Sequence, residues 1–341
     1  MSFTVYSRRR SNMTEPQTWE SGANEEGYTS WLTDTGNRVR EAAASLADGL
    51  GGSMRPEVVQ VLSGARVHRR GGYWPELHLA PLVHGTMSGT EIDPRIAAVG
   101  ALVWAGADLL DDWSDGDLKT EWAPDRLVLA VLGTSAWVPQ RAIASFDLEP
   151  QMGSRLHDLV GECCLEMAAG QRDDLLLGST MAEPAAVEAS VVGKNGAAQA
   201  LYAGLGAIAG GASGKEVAHW RDFGRALGAV YQLTSDYQEL FHDPEARDLR
   251  AGRRTLFVAL ALEQAGDRRV ELTRQLEAAQ RDPNAIEAVR AALRRGSVAK
   301  AWRAVLQRHV DSARRALDQV DGHAPWAARL RQVVATRSPT C

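Results

Sequence analysis

The sequence predicts an all-α protein folded as a single large helical bundle, and three observations point there. From about Trp31 onward, apolar residues recur at spacings of three and four, the period that keeps one face of a helix buried, with no convincing strand alternation. Ala, Leu, Glu and Arg, which lose little rotamer freedom in a helix, dominate the same region. Glycine and proline then divide it into ten or more helical stretches, with breaks at Gly51-Gly52-Ser53, Gly71-Gly72, Ser88-Gly89-Thr90, Pro124, Pro139, Pro150, Glu183-Pro184, Gly210-Gly211, Asp243-Pro244, Asp282-Pro283 and Pro325.

Taken in order, residues 1 to about 28 are polar and offer few side chains to bury, so they are expected to be disordered. Residues 29–341 are expected to form one all-helical catalytic domain, long enough to bury a large core. Within it Ile96 to Leu110, Val191 to Ala212 and Phe223 to Leu240 are only weakly polar on any side, as central helices are. No repeat or low-complexity segment interrupts the pattern.

Composition excludes several classes of function. A formal charge of -5 and a pI near 5.9 leave no basic face to track nucleic acid, so no nucleic-acid partner is expected. Adjacent Cys163 and Cys164 with Cys341 at the last position make neither a disulfide framework nor a metal-finger spacing, which suits a reducing cytoplasmic setting. No apolar stretch approaches the roughly 20 residues that span a bilayer, and no signal peptide is evident despite Arg8, Arg9 and Arg10, so no membrane span is expected. Cys341 does not stand four from the end, so it is not read as a prenylation box.

The chemistry begins at the end of the first apolar helix, Trp104-Ala-Gly-Ala-Asp-Leu-Leu-Asp-Asp-Trp-Ser-Asp115. Asp111, Asp112 and Asp115 stand at i, i+1 and i+4, which places Asp111 and Asp115 on one helix face. Carboxylates gathered beside an apolar stripe repel one another and are costly to desolvate unless a cation neutralises them. Mg²⁺ does this while keeping water and phosphate oxygens among its ligands. By spacing alone, a solvated acidic helix end accounts for these residues equally well.

Motif order resolves that choice. Gly170-Gln171-Arg-Asp-Asp174-Leu175 follows, then Lys194 in Val-Gly-Lys-Asn-Gly, then Phe223-Gly224-x-x-Leu227-Gly228-x-x-Tyr231-Gln232-Leu233, then Asp248-Leu249-x-x-Gly252-Arg253-Arg254-Thr255-Leu256. Together with Asp-Asp-x-x-Asp at Asp111, Asp112 and Asp115, this series resembles the trans-isoprenyl diphosphate synthases and their offshoots, the class I terpene synthases. The resemblance implies the isoprenyl-synthase helical fold and Mg²⁺ as cofactor. It makes Asp111, Asp112 and Asp115 catalytic metal ligands, Gln171, Lys194, Gln232 and Arg253 contacts for the diphosphate, and an allylic prenyl diphosphate the substrate.

Two departures shape the functional expectation. Where the second aspartate-rich motif belongs, the chain reads Ser235-Asp236-Tyr237-Gln238-Glu239. Ser235, Asp236 and Glu239 then stand as a second metal set in the manner of terpene cyclases, or as a weakened site. The basic clamps that hold isopentenyl diphosphate in chain-elongating members are missing from their register, where Gly71-Gly72-Tyr73-Trp74 and Thr120-Glu121 stand. Arg66, Arg69, Arg70 and Lys119 lie nearby.

The expectation is therefore a class I terpene synthase that ionises one allylic substrate and cyclises or rearranges it. The alternatives are a trans-prenyltransferase coupling the cation to isopentenyl diphosphate or another acceptor, and a non-catalytic partner subunit. Trp104, Gly106, Ala107 and Tyr231 are expected to line the cavity, the small Gly106 and Ala107 leaving depth for a chain of about C15 to C20 or longer. Asp108 has no role in this scheme. A homodimer is possible, through an apolar helix face that the sequence does not single out.

Overall fold

A computed structural model describes residues 25–65, 72–118, 121–177, 183–294 and 297–336, and these contain sixteen α-helices and no strand. In order they are α1 (Glu25–Leu50), α2 (Arg55–Gly64), α3 (Pro75–Ser88), α4 (Pro94–Ser114), α5 (Pro124–Leu132), α6 (Val138–Ser145), α7 (Pro150–Leu177) and α8 (Pro184–Val191). Then come α9 (Ala197–Ala209), α10 (Gly214–His242), α11 (Arg247–Ala251), α12 (Leu256–Gln264), α13 (Arg269–Arg281), α14 (Ile286–Leu293), α15 (Val298–Asp318) and α16 (Ala324–Ala335).

Prolines open α3, α4, α5, α7 and α8, where a missing N–H costs nothing because the first turn has no acceptor for it. Asp93 caps α4 by accepting from the Arg95 N–H at 2.9 Å. Ser213 and Glu216 form a reciprocal capping box at the start of α10. These starts fix where the two long site-bearing helices begin, and so which residues arrive at their far ends.

α9 is the central helix. Every residue from Ala197 to Ile208 is buried, which its all-round apolar sequence requires, and α3, α4, α7 and α10 enclose it. Tyr202, Trp220, Phe223 and Leu77 are among the large side chains fully buried in this core.

Three expectations need correction. The first helix begins at Glu25, so residues 25–28 belong to α1 rather than to a disordered segment; residues 1–24 lie outside the described residues. Pro139 ends no helix. Helix runs continuously from Pro124 to Ser145 because a π-bulge, Gly133–Trp137, precedes the proline and supplies the altered hydrogen-bond spacing that a residue without an N–H tolerates. That continuous 22-residue helix is also long and apolar enough, by length and composition, to cross a bilayer, although half of its apolar 18-residue stretch is buried within the fold as in a core helix.

Candidate active site

α4 delivers its carboxylates at the C-terminal end of a helix buried from Ile96 to Asp108 except at half-buried Trp104 and Ala107. Asp115 is the cap residue, its N–H donating to the Asp111 carbonyl at 2.9 Å, so the i, i+4 pair shares one face as the spacing requires. Asp112 is half-buried one residue off that line, while Trp113 points outward at 42% exposure.

Facing α4 is a second π-bulge, Val192–Gly196, which joins α8 to α9 and carries Lys194 and Asn195. Such bulges re-aim side chains that a regular helix would place elsewhere. This one is wedged between two glycines. A Cβ on Gly170 of α7 would lie 2.3 Å from the Lys194 backbone nitrogen, and one on Gly228 of α10 would lie 2.4 Å from the Asn195 carbonyl oxygen. Only hydrogen at both positions permits three backbones to meet. Gly170→Ala is therefore expected to displace Lys194, cost about 1–3 kcal/mol of stability through overpacking, and depress activity beyond that loss. Thermal melts beside steady-state rates check this, and an unaltered melting point would contradict the wedge.

Lys194 Nζ lies 2.5 Å from Asp111 Oδ1 and 3.5 Å from Asp174 Oδ2, and Gln171 Nε2 donates to the same Asp111 oxygen at 3.3 Å. Across the site Arg253, from the loop after α11, pairs with Asp115 and Asp248 at 2.8 Å each and with Asp117 at 3.5 Å. On α10, Gln232 Nε2 donates to Asp236 Oδ1 at 2.6 Å, and the Asp248 N–H donates to Glu239 Oε1 at 2.6 Å. Carboxylates from α4 and α10 thus meet in one network, Lys194 and Arg253 folded onto the α4 side and Asp248 joining Arg253 to Glu239 of α10.

Their protonation equilibria record the crowding. Burial first, and the Asp111 charge second, push the Asp115 carboxyl up to about 7 despite its pairing with Arg253. Asp236 is raised well above the carboxylate range by burial and then by Asp248, and Glu239 is raised by the same two causes. Asp248 is raised by burial, against the pull of Arg253. Burial by itself would lower Lys194, but Asp111 and then Asp174 outweigh it and raise the ammonium above its ordinary range.

For an acid raised in this way, the native state binds more protons than the unfolded chain between about pH 4 and 7. Stability therefore falls as pH rises through that window, and the whole penalty is present above it. Metal-free wild type is expected to lose melting temperature relative to Asp115→Asn between pH 5 and 8, with Mg²⁺ reversing the loss at pH 8. Melts with chelator and with Mg²⁺ test it; parallel wild-type and variant curves would refute it.

Among the described residues, no three Asp, Glu, His or Cys side chains converge into a metal cage. Mg²⁺ does not need one. It keeps several waters and takes phosphate oxygens, so one or two hard carboxylates per ion suffice. Under-neutralised carboxylates on two helices are the donor set that fits it.

The structure brings Asp111, Asp115, Gln171, Lys194, Gln232, Asp236, Glu239 and Arg253 into this network. Ser235 stands exposed beside them. Trp104, Ala107 and Tyr231 are half-buried beneath the cluster, Tyr231 stacked on Tyr73 with ring centroids 6.3 Å apart. Gly106 must be reassigned. A Cβ there would lie 2.9 Å from Ser135 Cβ and 3.1 Å from the Val131 carbonyl, so its smallness is used up in packing α4 against the first π-bulge and leaves no pocket depth. Asp108 is buried at 5% exposure near Tyr202, whose phenol is raised first by its own burial and then by the charges of Glu76 and Asp108.

Sequence reasoning missed Asn195, Asp174, Asp248 and Asp117 as members of the network. The first three lie in or beside recognised motifs, where their carboxylate or amide type was the available signal.

Comparison with known proteins points one way. The polyprenyl synthetase family model matches residues 140–294. A short chain isoprenyl diphosphate synthase of Methanothermobacter thermautotrophicus is 38% identical over 69 residues, which cover 18% of this chain and 21% of that one. A geranylfarnesyl diphosphate synthase of Aeropyrum pernix is 25% identical over 231 residues, 61% of this chain and 73% of the relative. Geranylgeranyl pyrophosphate synthase of Corynebacterium glutamicum, solved with isoprenyl diphosphate and magnesium, superposes at a TM-score of 0.74 over 91% of this chain and 99% of that one, at 19% identity.

Proposed function

From the premise that this chain belongs to the trans-isoprenyl diphosphate synthase family, we propose that it is a Mg²⁺-dependent trans-prenyltransferase acting on an allylic prenyl diphosphate. The observation that carries this reading is the linked carboxylate cluster: Lys194 holds Asp111 of α4, and Arg253 holds Asp115 of α4 together with Asp248, whose N–H donates to Glu239 of α10. Mg²⁺ held by Asp111 and Asp115 with Asp112, and by Asp236 and Glu239, would neutralise the diphosphate and take up charge as the allylic C–O bond breaks.

Lys194 and Arg253 transfer from the carboxylates to the phosphate oxygens, with Gln171 and Gln232 as further donors. The C–O electron pair leaves with the diphosphate. An acceptor double bond attacks the allylic carbon, and proton loss from the acceptor restores an alkene. Half-buried Trp104 and Tyr231 keep water from the cation and turn aromatic faces toward it.

This reverses the sequence-level preference for cyclisation, since the relatives are named for making prenyl diphosphates. One observation keeps a terpene-synthase reading second: Tyr73, in the register of the absent clamp, stacks on Tyr231 and leaves an aromatic wall there. Arg66, Arg69, Arg70, Lys119 and Thr120 lie outside the described residues. A non-catalytic subunit has no use for the assembled network.

The test is to give purified protein Mg²⁺ and geranyl, farnesyl or geranylgeranyl diphosphate, with and without isopentenyl diphosphate. A longer diphosphate formed only with both substrates is expected. Hydrocarbon or alcohol from the allylic substrate alone would move the assignment to a cyclase, and no consumption would leave the partner-subunit reading.

For self-association we propose the face where Val128, Leu129, Leu132 and Trp137 of the Pro124–Ser145 helix stand exposed beside Leu165 of α7, the last at 74% exposure. Light scattering on Leu132→Glu with Leu165→Glu is expected to give monomer where wild type is dimeric; unchanged mass would exclude the face. Free Cys163 and Cys164, buried and half-buried, fit the cytoplasmic setting proposed for it.

A further inference from the structure

The Val192–Gly196 π-bulge reaches both carboxylate rows through consecutive residues. Lys194 holds Asp111 of α4. Asn195 turns to α10, where its Nδ2 donates to Oε1 of Gln232, whose own Nε2 donates to Asp236 at 2.6 Å. The Gly228 contact holds the Asn195 backbone close against α10, within reach of Gln232.

A glutamine amide has an accepting end and a donating end, and its neighbours decide which way it points. Toward an ionised Asp236, the form that receives a cation, the donating end is required, because an amide oxygen there would face a carboxylate oxygen in a nearly buried setting. Asn195 is the donor on the other side that makes this orientation the favourable one.

We propose that Asn195 is a positioning residue that fixes the Gln232 amide and, through it, sets the Asp236 carboxyl to receive a divalent cation with its diphosphate. The inference rests on the proposed function and deepens it: the same bulge that supplies Lys194 to the first row sets the geometry of the second. Asn195 needs no contact with substrate to do so.

The two sides of the relay make opposite demands on replacements. Asn195→Ala removes the donor and leaves the amide free to turn. Asn195→Asp places an acceptor there, which favours the reversed amide and sets its oxygen against Asp236. Gln232→Glu creates that clash from the other side while Asn195 is untouched.

Calorimetric titration with Mg²⁺ and inorganic diphosphate tests this on full-length protein, with melting temperature as the fold control. Expected are an approximately 10-fold loss of diphosphate affinity for Asn195→Ala and a larger loss, approaching 100-fold, for Asn195→Asp and Gln232→Glu. The Asn195→Ala/Gln232→Ala double variant should bind no more weakly than Gln232→Ala alone, because one residue acts through the other. Wild-type affinity in Asn195→Ala, or additive losses in the double variant, overturns the inference while leaving the proposed function standing. Wild type that binds no diphosphate with Mg²⁺ overturns both. If Asn195→Asp melts early, Gln232→Glu and the double variant still decide the matter.

Discussion

Asparagine in place of Asp111 is expected to lower kcat/KM by about 10³-fold, the loss seen when one preorganised group that stabilises transition-state charge is removed from a site. The change keeps side-chain size and leaves Lys194 a neutral oxygen to bond, so the fold should survive. Asp111 and Lys194 are both partly exposed, and an ion pair in that setting contributes little net stability, which predicts a small shift in melting temperature. The loss should appear chiefly in kcat, because Asp111 acts where charge develops on the leaving diphosphate rather than on the bound ground state. Steady-state kinetics with either allylic substrate at saturating Mg²⁺ measures it. Activity within a few-fold of wild type would remove the α4 carboxylates from the chemistry and return them to a solvated helix end.

Lys194→Ala carries the second large effect and separates two roles that one side chain performs. In the ligand-free protein the ammonium neutralises Asp111 and Asp174; with substrate it is expected to serve the diphosphate. Its removal should lower kcat by about 10²-fold, for want of a cation beside the leaving group. The same variant should bind Mg²⁺ alone more tightly than wild type, since Asp111 no longer carries a built-in counter-ion. These opposite directions are the diagnostic result. A variant that loses both Mg²⁺ affinity and turnover would instead mark Lys194 as a scaffold residue whose loss distorts the bulge, as Gly170→Ala is expected to do from the other side.

Which residues meet in the acidic network was largely legible because the chemistry constrains residue type and helix geometry constrains spacing. Asp111 and Asp115 must lie four apart to share a face, and Gln232, Asp236 and Glu239 at i, i+4 and i+7 must follow a single line on α10. Ser235 shows where spacing stops deciding: it stands exposed while Asp236 is buried. Ser235 stands four from Glu239, but Glu239 turns to the Asp248 N–H, and the inward line runs through Asp236. Spacing names the candidates on a helix face; it does not say which face is inward when neighbouring lines both carry oxygen ligands.

The glycines mark the same boundary. Gly106 before the first motif reads as an open pocket floor, yet α4 spends that space on the backbone of the first π-bulge. Gly170 and Gly228 read as ordinary members of helical motifs, yet they are what lets a second bulge enter between α7 and α10. A missing Cβ is visible in sequence, whereas what fills its place depends on a chain segment distant in sequence.

By itself, the sequence determined an all-α bundle, its site-bearing helices and most residues of its acidic centre, because periodicity, capping and carboxylate spacing are local properties of a helix. The tertiary structure alone decided that helix continues through Pro139, that α9 is the axis the others enclose, and that Lys194 and Asn195 project from a π-bulge to the two carboxylate rows. Those outcomes depend on how closely backbones from different helices approach. That distance is set by side chains remote in sequence, which no local pattern records.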